Sequence, residues 1–273
     1  AIAVRTGGPG AVFWMMLLAL FGMTLKFHEC TIAQMFRRRN PDGTFSGGPM
    51  FYLKDGLEQV NPKLRPLGQI LAVVFAVMCM GGAVGGGNMF QANQSFEAFA
   101  SAFKIDTANN PWPARGFGII MAVLVGAVII GGIKRIGAAT SRIVPTMCGL
   151  YVLAALVIIL MNLTSVPDVI SLVFSNAFAP DAALGGVIGV MVIGFTRAAF
   201  SNEAGLGSAA IAHAAAKTGE PVREGVVALL EPFIDTIVIC AMTAMVVIIT
   251  GAHENAPEGA NGAAVTMHAF QNL

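Results

Sequence analysis

The stretch Gly194-Phe-Thr-Arg-Ala-Ala-Phe-Ser-Asn-Glu-Ala-Gly-Leu-Gly-Ser208 sets Arg197, Asn202 and Glu203 among three glycines, between flanks that are strongly apolar. An ionised side chain at the depth of a bilayer costs roughly 2.5–3.5 kcal/mol on insertion scales. Glycine weakens a helix and uncovers backbone groups that lipid cannot satisfy. Two arrangements accommodate both costs: a broken helix lining a watery or ligand-filled cavity, or a short cytoplasmic loop joining two ordinary spans. The broken helix is the arrangement of a transporter. On that reading Phe200, Ser201, Asn202 and Gly205 face a substrate. Arg197 and Glu203 then need partners, either each other, Glu231, or a cytoplasmic gate.

Two further groups could do chemistry. In Glu231-Pro-Phe-Ile-Asp-Thr236 the two carboxylates stand four apart on one helix face, and Pro232 removes a backbone donor. Freed carbonyls, Asp235, Thr236 and Asn202 are hard oxygen donors suited to an alkali cation. Glu231 fits either a pair with Arg197 or a proton relay. The other group follows Gly81-Gly-Ala-Val-Gly-Gly-Gly-Asn88, which sits in an apolar run with no strand before it and so is not a nucleotide loop. Glycines four apart (Gly81/Gly85, Gly82/Gly86) predict close helix approach. Asn88 and Gln91, three apart on one face, serve either as hydrogen-bonding glue between spans or as a polar wall against substrate. Glu97 falls near the outer surface.

The elements that must position these residues are membrane helices. The 273 residues are 56% hydrophobic and 11% charged, with mean hydropathy +0.74, whereas soluble chains carry about a quarter charged residues. The net charge of +1 indicates no nucleic acid or acidic partner. Apolar runs near the roughly 20 residues that cross about 30 Å of hydrocarbon fall at 9–35, 67–98, 116–133, 142–163, 182–199 continuing through the break to 215, and 225–251. A further helix opens at 263–270. Eleven lysines and arginines lie in the loops after the first, third and fifth spans, against Lys104 and Arg115 alone in the opposite loops. The basic side is therefore expected to be cytoplasmic.

Within the first basic loop, Ser46 to Leu57 is amphipathic, with Pro49 suited to a helix start and Met50, Phe51, Leu53 and Leu57 able to lie on the membrane surface. Trp14 and Trp112 fall at the outer interface. Cys30, Cys79, Cys148 and Cys240 read as small packing residues, and His28-Glu29-Cys30 matches no common metal spacing. No metal beyond an alkali cation and no cofactor is expected. With no signal peptide and no initiator methionine, the chain reads as an internal fragment of a longer protein, a single transmembrane domain over 1–273.

The ordered motifs Gly7-Gly-Pro-Gly-Ala-Val-Phe-Trp14, Gly47-Gly-Pro-Met-Phe-Tyr52, Gly87-Asn-Met-Phe-Gln-Ala-Asn93, Phe200-Ser-Asn-Glu-Ala-Gly-Leu-Gly-Ser208, Ile211-Ala-His-Ala-Ala-Ala216 and Leu230-Glu-Pro-Phe-Ile-Asp-Thr236 cover nearly the whole chain. Together they resemble the alanine or glycine:cation symporters, also called sodium:alanine symporters, of the amino acid–polyamine–organocation superfamily. The resemblance implies an all-α, polytopic bundle, part of a five-plus-five inverted-repeat (LeuT-like) transporter fold. It makes the six spans the second to seventh helices and the broken span the sixth. It also implies a glycine-rich first helix upstream of Ala1, and an eighth helix, completing one sodium site, beyond the end of the chain. Those missing helices of the full-length chain would be partners, with the bilayer. The implied activity is secondary active symport of alanine or glycine with sodium by alternating access, in a multi-pass protein of the cell inner membrane. A passive ion channel or pore is the alternative, although no filter repeat or ring of like charge is present. No nucleophile–base pair stands out, so no enzyme is expected.

Overall fold

A computed structural model describes residues 1–105, 110–179, 186–257, 259–260 and 262–271. A short helix α1 (Ile2–Gly7) leads into α2 (Ala11–Met35), followed by a two-stranded hairpin, β1 (Arg38–Arg39) paired antiparallel with β2 (Phe45–Ser46). Then come α3 (Pro49–Val60), a 3-10 turn (Pro62–Leu64), α4 (Arg65–Gly82), a π-helical segment (Ala83–Met89) and α5 (Phe90–Phe103). After α6 (Trp112–Ile129), α7 (Gly132–Met161) and α8 (Val166–Ala177) lie α9 (Gly186–Asn202) and α10 (Ser208–Ala214). The chain continues through α11 (Pro221–Ala228), a single turn α12 (Leu230–Pro232), a second π-helical segment (Phe233–Cys240), α13 (Ala241–Ile249), α14 (Ala252–Asn255) and α15 (Ala263–Gln271).

Among the described residues, five continuous helical stretches are long and apolar enough to cross a membrane: Ala11–Met35, Pro62–Phe103, Trp112–Ile129, Gly132–Met161 and Pro221–Ile249. The described part of the expected fifth span is the shorter α9, of 17 residues; the expected start of that span, 182–185, lies outside the described residues. The stretch 164–179, read from sequence as an outer loop, instead contains α8. Its 12 residues are too few to register as a span, but they pack on α2 and α13.

Helix α2 is the hub, packed against α8, α9, α10 and α11. Two glycines permit the approach. A Cβ on Gly194 of α9 would meet the Ala11 carbonyl oxygen and Trp14 Cβ at 2.7 Å, and one on Gly225 of α11 would run into Thr31 Oγ1. Gly194 thus brings helices together and does not break α9, which is continuous past it. With lipid outside as apolar as leucine inside, such close backbone contact takes the place of the hydrophobic effect in holding membrane helices together. The main buried cluster gathers Val4, Val12, Ile158, Val169, Val246 and Val265. By contrast, α6 and α7 turn Ile119, Val123, Leu150 and Leu153 outward, each more than half exposed.

Helix α3 starts with Pro49 in its first turn, as its sequence predicts, and lies along α4. The glycine run at 81–87 behaves differently from expectation. Among the described residues nothing comes within 4 Å of a Cβ placed on Gly81, Gly82, Gly85 or Gly87, and Gly86 meets only the Phe200 ring, at 3.4 Å. Gly81 and Gly82 close α4, and the remainder of the run forms the π-helical stretch, a rare geometry often found at functional sites.

Candidate functional site

Helix α9 ends at Asn202, and the backbone then passes through left-handed conformations at Glu203 (φ 51°), Gly205 (φ 81°) and Gly207 (φ 80°) before α10 begins. L-residues pay roughly 1–2 kcal/mol for this region, which is why glycines occupy two of the three positions. The interruption therefore lies at 203–207, downstream of most of the polar residues, where α9 and α10 meet at a short left-handed joint.

A cavity of about 400 Å³ opens on the N-terminal side of that joint. Its wall includes Arg197, Phe200 and Ser201 from α9, Phe90, Gln91 and Gln94 from α5, and Asp235 and Cys240 from the second π-helical segment. The second π-helical segment thus borders it through Asp235 and Cys240, while the first ends just before the lining residue Phe90. Pro232, which has no N–H to donate, precedes the second one and relieves it of regular α-helical bonding.

The bonds across the wall are specific. Ser201 Oγ donates to Asp235 Oδ2 at 2.5 Å and lies 3.4 Å from Cys240 Sγ. Thr236 Oγ1 donates to the same carboxylate oxygen at 3.1 Å and accepts from Asn202 Nδ2 at 3.2 Å. Asn202 Oδ1 accepts the Ala204 N–H, closing the first turn of the break. Phe200 meets Phe90 edge-on, with ring centroids 5.1 Å apart. Arg197 forms no ion pair among the described residues, and its Nε is buried without a hydrogen-bond partner there. The Gln91 amide is likewise without a partner among them, whereas Gln94 is occupied by the Ala263 N–H and by Glu97.

The expected site residues separate into two groups. Gln91, Phe200, Ser201, Arg197 and Asp235 share the cavity wall. Asn202 and Thr236 are buried just behind it, beside Asp235. Asn88, in the first π-helical segment, and Gly205 are exposed and outside the lining, and Gly205 stands against Leu25. The expected partnership of Glu231 with Arg197 does not form. Glu231 Oε2 lies 2.5 Å from Lys26 Nζ, because α12 faces α2. Nor do Arg197 and Glu203 pair: Glu203, beyond the helix end, accepts from Ser208 Oγ at 2.5 Å.

Reading the sequence missed Lys26 and Glu29. Both are buried in α2, Lys26 to 1% exposure. The signal was present as two opposite charges three residues apart inside a 25-residue apolar helix, a placement that solvated charge does not explain. Among the described residues no three His, Cys, Asp or Glu side chains gather as a metal group.

The sodium:alanine symporter family matches residues 1–273. The chain belongs to that family. It is 46% identical over 275 residues to an uncharacterized transporter of Haemophilus influenzae, covering 99% of this chain and 57% of the relative. It is 44% identical over 252 residues to the sodium/alanine symporter AgcS of Methanococcus maripaludis, covering 92% and 53%. To the probable sodium/glutamine symporter GlnT of Bacillus subtilis it is 36% identical over 267 residues, covering 97% and 52%. The chain thus spans about half the length of the curated relatives it matches. Its apolar helices and its family make it part of a multi-pass membrane protein.

Proposed function

We propose that the full-length protein is a secondary active symporter that moves a small neutral amino acid, alanine or glycine, with sodium by alternating access. The observation that carries this reading is the cavity wall beside the break, where Arg197 and Asp235 present opposite charges without pairing and Ser201 bridges to Asp235. An amino acid is a zwitterion, so a wall bearing both signs is complementary to it, and sodium adds the charge that balances carboxylates. Gln91, Phe200 and Ser201 are proposed to meet the substrate, and Asp235, Thr236 and Asn202 to form the sodium side. Hydroxyls and a carboxylate are the hard oxygen donors that an alkali cation prefers.

The family and the names of two relatives, one a sodium/alanine symporter and one a probable sodium/glutamine symporter, support sodium coupling and leave the side chain carried as the finer choice. The cavity, about 400 Å³, has room for a small neutral amino acid such as alanine or glycine. The excess of basic residues around the hairpin and α3 supports a cytoplasmic position for that side, and the membrane we propose is the cell inner membrane.

The test uses full-length protein in sealed vesicles. Alanine should accumulate inside under an inward sodium gradient and leave when the gradient is reversed. Uptake that only equilibrates, whatever the sodium gradient, would replace this reading with a passive pore.

A further inference from the structure

The break at 203–207 is read along its length by one stripe of α2. Gly22, Leu25, Lys26 and Glu29, spaced three and four apart, occupy one helix face. A Cβ on Gly22 would lie 3.2 Å from Ala204 Cβ, and Leu25 Cδ1 is the nearest atom to a Cβ on Gly205, also at 3.2 Å. Lys26 Nζ donates to the Asn202 carbonyl oxygen at 2.8 Å, where α9 ends with unsatisfied carbonyls. Glu29 Oε2 accepts the Gly207 N–H at 3.0 Å, on the far side of the break.

Lys26 has a second attachment. Its ammonium contacts Glu231 Oε2 at 2.5 Å and lies 4.0 Å from Glu29 Oε1. Ser201 precedes Asn202 in the chain, and Asp235 follows Glu231 by four residues. One buried ammonium therefore ties the backbone beside Ser201 to the helical turn that leads to Asp235, the two residues that bond to each other on the cavity wall. An ammonium with 1% exposure is costly unless it is well partnered, and here close partners come from α9 and α12, with the Glu29 carboxylate of α2 at 4.0 Å adding opposite charge. The cost is explained if the ion fixes a distance that packing alone would leave loose.

We infer that Lys26 is a positioning residue: with Glu29 it clamps the broken helix onto α2, and with Glu231 it sets the spacing of Ser201 and Asp235 across the cavity. The inference deepens the proposed transport reading, yet its main test needs no substrate. Hydrogen exchange is followed on full-length protein in detergent, without sodium or amino acid, comparing Lys26→Met, which keeps an unbranched stem, and Lys26→Arg, which keeps the charge. Lys26→Met should speed exchange of the peptide covering 203–207 by roughly tenfold, with α13 (Ala241–Ile249) unchanged, and Lys26→Arg should stay within about twofold of the parent. In vesicles Lys26→Met should also raise the sodium concentration for half-maximal uptake severalfold.

Unchanged exchange at 203–207, or an equal rise at 241–249, overturns the inference, the latter because the residue would then serve only overall stability. Should Lys26→Met not fold, Glu231→Gln removes the partner's charge while keeping its shape, and must shift the same peptide in the same direction. A protein that carries some other solute leaves the exchange result standing, so the two readings fail separately.

Discussion

Replacing Gly207 by alanine tests whether the break at 203–207 is built as described. Two costs apply there. The backbone has φ 80°, so an L-side chain is strained. A Cβ would also sit 2.6 Å from Pro49 Cγ and 2.9 Å from the Phe75 ring, both stiff groups on the packed elements α3 and α4. Strain of roughly 1–2 kcal/mol and overpacking of roughly 1–3 kcal/mol predict a destabilisation of about 2–5 kcal/mol. Gly205 is the internal control. Its φ is 81°, but a Cβ meets only the flexible Leu25 side chain, at 3.2 Å, so Gly205→Ala should cost about 1–2 kcal/mol, the strain alone. Denaturant unfolding of full-length protein in detergent measures both, and sodium-driven uptake should fall more steeply for Gly207→Ala because its N–H anchors the joint to Glu29. Equal costs, or Gly205→Ala the worse of the two, would refute the packing at Pro49 and Phe75. Two neutral variants would refute the left-handed joint itself.

Asp235→Asn should raise the sodium requirement for half-maximal uptake more than the alanine requirement, since the carboxylate that accepts from Ser201 and Thr236 loses its charge; equal shifts in both would place the cation elsewhere. Gln91→Ala should weaken equilibrium alanine binding roughly tenfold, the worth of about one hydrogen bond, while leaving membrane insertion intact; unchanged affinity would remove Gln91 from the site. Burial, with the negative charge of Glu29 adding to it, pushes the Tyr52 phenol up from 10.0 to about 12. Its folded-state affinity for the proton exceeds the unfolded one, so the stability it contributes is full below pH 10 and declines as pH rises towards 12. Absorbance titration at the phenolate band should show the Tyr52 transition displaced upward from 10, and a Tyr52→Phe variant should lose that alkaline dependence.

Much of the architecture was legible along the chain because lipid leaves the backbone few choices. An apolar run of about 20 residues in a bilayer must satisfy its own N–H and C=O groups, so α2, α6 and the helices around 65–103, 132–161 and 221–249 follow from composition and length. Pro49 at the start of α3 and glycines at the kinked joint are equally local, since a missing donor or a missing Cβ acts on its own residue. The bonding of one span residue to another was not local. Glu231 stands beside Arg197 as readily as beside Lys26 in any reading of the chain, and only the rotation of α2 against α9 and α12 selects Lys26, 205 residues away. The packing of α9 against the second π-helical segment likewise sends Asn202 to Thr236 and brings Ser201 to Asp235, while Arg197 forms no ion pair among the described residues. Helix α8 was hidden for a related reason, since 12 residues carry no spanning signal and are held by α2 and α13. Sequence alone determined which long apolar segments are helical and that glycines interrupt the helix after Asn202. Which charges meet, and which stay free to face a ligand, depends on the azimuth at which each helix packs. That angle is decided by contacts such as Gly194 on Ala11 and Gly225 on Thr31, which exist only once distant segments are brought together.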